Sequence, residues 1–129
     1  MSSQAKGPTA AAEGKVVQAL EMAVGAVDGL AETPEGPLRL PALRRAYLEI
    51  ESSVFLLKMA ADVEDAPPLD PALEMLGREE LDAKMAKSLH AAKDLAGVDP
   101  MRALLEARVA RDCAAVALHS LNLESRRKR

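Results

Sequence analysis

Between Pro41 and Val63 the chain carries two apolar stripes at helical spacing. At 100° per residue, Leu43, Ala46, Tyr47, Ile50, Val54, Leu57 and Ala61 share one face. Leu48, Phe55, Leu56, Met59 and Val63 gather nearly opposite. Glu49 and Ser53 separate the stripes on one side; Arg44, Glu51, Lys58 and Asp62 separate them on the other. A surface helix needs one stripe. A second one calls for a second packing partner: a neighbour on each side within the chain, or another chain. Leu48, Ser52, Phe55 and Met59 follow the i, i+4, i+7, i+11 spacing of a helix-pairing seam, with Leu56 beside it.

The alphabet is helical. Ala and Leu dominate, while aromatics are limited to Tyr47 and Phe55. Helix one is expected over Ala10–Ala31, its stripe running from Val16 to Ala31 through Leu20, Val24 and Val27. Gly14, Gly25 and Gly29 each cost that helix roughly 1 kcal/mol against Ala. Pro34, Gly36 and Pro37 end it, and Pro41 opens helix two, which runs to about Val63. Asp70-Pro71 starts a short helix to Leu76. Helix three follows over Arg78–Ala96, with Gly97 as its left-handed terminator. Asp99-Pro100 starts helix four, running to about Leu123. Its apolar arc takes in Leu105, Val109, Cys113, Val116 and Leu121. The prediction is an all-α, antiparallel up-and-down four-helix bundle with an extra short helix before helix three. It is one domain over 10–124, between a disordered tail (1–9) and a basic tail (125–129).

Charge and cysteine content narrow the functions. Net charge is −3; without the last four residues, 13 basic face 20 acidic residues. An acidic body disfavours broad binding to a phosphate backbone, although the tail Arg126, Arg127, Lys128 and Arg129 can touch RNA or an acidic surface. Cys113 is single, which leaves no intrachain disulfide and fits a reducing, cytoplasmic setting. No apolar run approaches 18 residues, so no membrane partner is expected. Asn and Gln total three, which fits a thermophilic source.

No catalytic constellation emerges. A di-metal bundle needs Glu-x-x-His pairs, but Lys87 and Val116 precede His90 and His119 by three. His90 has Asp94 one turn on as a candidate partner. Cys113 sits on the apolar arc, away from any base. No Gly-rich phosphate loop is present, and no cofactor is expected. Arg108, Arg111, Asp112 and His119 share the polar side of helix four, either as a solvated face or as a groove for a phosphate. In size and all-helical character the chain resembles the HEPN ribonucleases. That resemblance implies a motif of Arg, four to six residues, then His; Arg111 and His119 are separated by seven, so the motif is not met. The preferred reading is a non-enzymatic interaction module, homodimeric through helices two and four or bound to another helical protein. The alternative is a nucleic-acid-associated subunit using Arg108, Arg111 and the basic tail. A ribonuclease or hydrolase built on His119 ranks third.

Overall fold

A computed structural model of the chain describes residues 10–33, 35–63 and 70–127, with side chains from residue 14 onward. The expected disordered tail lies outside the described residues, as do Lys128 and Arg129. The elements are α1 (Ala10–Asp28), a 3-10 turn (Gly29–Glu32), α2 (Arg39–Ala61), a second 3-10 turn (Pro71–Met75), α3 (Arg78–Leu95) and α4 (Pro100–Arg127). The chain folds as an all-α four-helix bundle, with no strand among the described residues.

Local chemistry explains the helix ends. Pro41 lies inside the first turn of α2, where a missing N–H leaves no helical bond unmade. The helix therefore starts two residues earlier than expected. Asp70 accepts a hydrogen bond from the Ala72 amide (2.9 Å), and Asp99 accepts one from the Arg102 amide (3.2 Å). Glu80 reaches back to the Gly77 amide (3.0 Å). Gly36, at φ 97°, makes the turn into α2. Gly97 is not left-handed. Instead the amides of Val98 and Asp99 both bond to the Leu95 carbonyl, closing α3 without a glycine terminator. At the end of α2 it is Asp62 that turns left-handed (φ 56°). Its amide bonds to Met59, and the Val63 amide bonds to Lys58, which completes a Schellman closure. The helix of α4 runs on to Arg127, beyond the expected end at Leu123. Its last turn holds Arg126 and Arg127, cations favoured at a helix C-terminus.

Around the bundle the order is α1, α2, α4, α3, so α2 and α3 lie on a diagonal. Each neighbouring pair is antiparallel. Asp28 and Glu21 of α1 meet His90 and Lys93 of α3. Glu51 of α2 meets Arg111 of α4, while Arg44, nearer the start of α2, lies beside Asn122 and Arg126. Arg39 and Asp82, near the starts of α2 and α3, join at 2.8 Å, so these diagonal helices point the same way. The chain between Ala61 and Arg78 must then return along the bundle, about 33 Å at 1.5 Å per residue. The up-and-down order expected from the sequence thus holds at the first and third connections and fails at the second, a long crossover between parallel α2 and α3. Sixteen residues separate Ala61 from Arg78, enough to cover that distance even with five of them in a 3-10 turn. The second 3-10 turn packs on α4 and buries Leu73.

Leu20, Leu43, Ile50, Leu57, Met85, Leu89, Leu104 and Cys113 fill the centre. Ala46, Ala103, Ala107, Ala110 and Ala114 are fully buried, small side chains that let neighbouring helices approach closely. Two sequence placements are corrected. Ser53, read as a boundary residue, is fully buried because its hydroxyl donates to the Glu49 carbonyl (3.1 Å) and needs no water. Leu105, read as inward, is 47% exposed because the arc of α4 that its neighbours bury is narrower than the apolar arc of its sequence.

Candidate interaction face

The inner stripe of α2 is core and the outer stripe is not. Leu48 is 65%, Phe55 62% and Met59 65% exposed, and Ser52 is exposed between them. Leu56 and Val63, the stripe's other members, turn partly toward the core and are half-buried. Three large apolar side chains therefore line one solvent-facing ridge, each worth roughly 1.5–3 kcal/mol if fully covered. Leu48, Glu51, Ser52, Phe55 and Leu56 edge one shallow depression on this ridge. The Glu51–Arg111 pair fixes the register of α2 against α4. It sets Leu105 of α4, 47% exposed, at the height of Phe55 to Met59.

Beside the ridge, the polar side of α4 is drawn inward. Tyr47 Oη donates to Glu51 Oε2 (3.0 Å). Arg111 lies 3.8 Å from Glu51 and 3.4 Å from Asp112. Arg108 is buried. Arg108, Arg111 and Asp112 are thus closer to an interhelical clamp than to an open groove, because α2 packs over that side of α4. Burial is the main cause lifting the Asp112 carboxyl above its ordinary value, against the lowering effect of Arg111. Burial also raises Tyr47, with the Glu51 hydrogen bond adding to it. His119 is exposed and stands two turns beyond Asp112, about 10 Å along the axis, so the structure does not bring it into the clamp. His90 pairs with Asp28 of α1 at 3.2 Å, not with Asp94, because α1 packs alongside α3. Cys113 is buried and its thiol is pushed up to about 11, chiefly by desolvation, which makes it inert at neutral pH. Among the described residues no group of three or more His, Cys, Asp or Glu could hold a metal ion. No described helix is long and apolar enough to cross a membrane.

Charge is uneven along the ridge. Arg44 and Arg126 share a depression with Leu40, Asn122 and Ser125 at the start of α2, and Arg127 follows in the same turn of α4. Asp62 is exposed at the other end of α2. Arg44, Lys58 and Asp62 have no ion pair among the described residues.

A cleft of about 290 Å³ lies where α2 and α3 start, between Leu43, Leu81 and Leu121. Its floor is Arg39, 2% exposed. Arg39 is spent on both oxygens of Asp82 (2.8 and 3.0 Å) and on the Leu30 and Thr33 carbonyls. This pin is absent from the sequence reading. Its partners are non-local, and nothing in the pattern marks Arg39 apart from the surface arginines.

No protein family, curated protein or solved structure matches the chain.

Proposed function

We propose that the chain is a non-enzymatic interaction module whose outer α2 face receives another helical surface. One observation carries the reading: Leu48, Phe55 and Met59 stand 62–65% exposed on a ridge of a bundle whose core is already filled. Contiguous exposed apolar surface with a polar rim marks interaction sites. Phe and Met are typical interface anchors. The rim here is Glu51, held by Tyr47 and Arg111. The nucleic-acid alternative loses support, since Arg108 is buried and Arg111 is paired with acids. It retains Arg126 and Arg127 among the described residues.

Phe55→Glu tests the reading. It is expected to leave the far-UV circular dichroism and the thermal midpoint of the isolated chain unchanged or improved, because the ring is 62% exposed and lies outside the core. Loss of the cooperative transition would assign Phe55 to the core and end the proposal.

A further inference from the structure

Resting on that reading, we infer that the occupant of the outer α2 face is a second copy of this chain, with the two α2 helices antiparallel. The argument is charge. The ridge is basic at its start, with Arg44 flanked by Arg126, apolar in the middle, and carries one acid, Asp62, at its end, one turn beyond Lys58. Arg44 and Asp62 are about five turns apart, which puts them on the same flank of the helix. An antiparallel two-fold brings like flanks together and reverses the ends. A pairing centred at position 53 then sets Arg44 of each copy against Asp62 of the other, twice by symmetry. A parallel two-fold brings unlike flanks together, which sets Arg44 of each copy against Arg45 of the other, a repulsive contact, and gives Asp62 no cation. The charge pattern therefore selects a self-complementary surface, as an isologous dimer requires. The small Ser52 lies closest to the two-fold among the exposed residues, where it lets two helices approach to the usual 8–10 Å.

Single cysteines test both partner and direction. Ser52→Cys places the two thiols within about 3 Å along the axis, inside disulfide reach. Met59→Cys places them about 18 Å apart in the antiparallel pairing, yet adjacent in a parallel one. Buried Cys113 does not compete. On mild oxidation, Ser52→Cys is expected to convert to a covalent species of twice 13.7 kDa while Met59→Cys remains single. Cross-linking of both overturns the antiparallel arrangement. Cross-linking of neither, with a wild-type dimer in solution, moves the interface elsewhere and overturns the inference. A wild-type monomer at high concentration overturns the second copy as occupant. It leaves the interaction reading intact provided Phe55→Glu stays folded, so the two failures are distinguishable. Arg44→Glu, which sets two acids face to face at each end, is expected to weaken dimerisation about tenfold, more at low salt than at high. Unchanged dimerisation in Arg44→Glu overturns the charge argument.

Discussion

Asp112 is a carboxylate whose position works against its charge. It lies between α2 and α4 beside Arg111, yet desolvation outweighs that pairing and lifts its proton affinity in the folded state. The sign of the linkage follows. A raised folded value means that the native chain binds the proton more tightly than the unfolded chain, so this side chain favours the fold at acid pH. That contribution fades as pH rises through the raised value. Asp112→Asn is accordingly expected to hold or raise the thermal midpoint at pH 7, and to remove part of the loss seen between acid and neutral pH. Thermal unfolding of both proteins at pH 3.5 and pH 7 checks this. A clear drop at pH 7 in Asp112→Asn would mean that the ion pair with Arg111 dominates. Residues of this kind are poorly legible in a sequence. Arg108, Arg111 and Asp112 are visibly clustered on one side of a helix, but their burial depends on a neighbour that periodicity does not place. His90 reached for the wrong acid for the same reason: Asp94 is near in sequence, whereas Asp28 is near in space.

The helices were legible because each carries its own punctuation and stripe. Asp-Pro starts require only local chemistry, and both appear with the expected side-chain-to-amide bonds. The two stripes of α2 were legible because a 3.6-residue period separates them. Which of them would be covered was not, since coverage depends on the neighbours. The end of α2 was displaced because Asp62 takes a left-handed conformation that a reader expects of Gly or Asn. Gly25 gives an element-scale prediction. It sits mid-helix in α1, where a Cβ would meet nothing within 4 Å. Gly25→Ala is expected to stabilise the fold by about 0.5–1 kcal/mol through reduced unfolded-state freedom. Urea unfolding at constant slope measures it, and a destabilised variant would mean that α1 packs more closely there than described.

At the scale of the molecule, the helix order around the bundle has one long return, and Arg39 ties the end at which it arrives to the start of α2. The guanidinium joins the start of α2 to Asp82 at the start of α3 and to the carbonyls that end the first 3-10 turn. Arg39→Ala strands the half-buried Asp82 carboxylate and two carbonyls, an expected loss of about 3 kcal/mol in denaturant unfolding. A loss below about 1 kcal/mol would show the pin to be dispensable. Lys at the same position is not expected to rescue it, because the bidentate fork is lost. The sequence could imply four helices but not the diagonal placement of α2 and α3, which is carried by contacts among residues far apart in the chain.

Those contacts leave the Leu48–Phe55–Met59 ridge outside the core, and the account stands on what covers it. The most direct measurement is absolute mass in solution, by light scattering on a sizing column, for the wild type and Phe55→Glu. The account predicts a wild-type dimer, twice 13.7 kDa, and a folded Phe55→Glu monomer. A wild-type dimer that Phe55→Glu leaves intact, or a Phe55→Glu chain that unfolds, would contradict it.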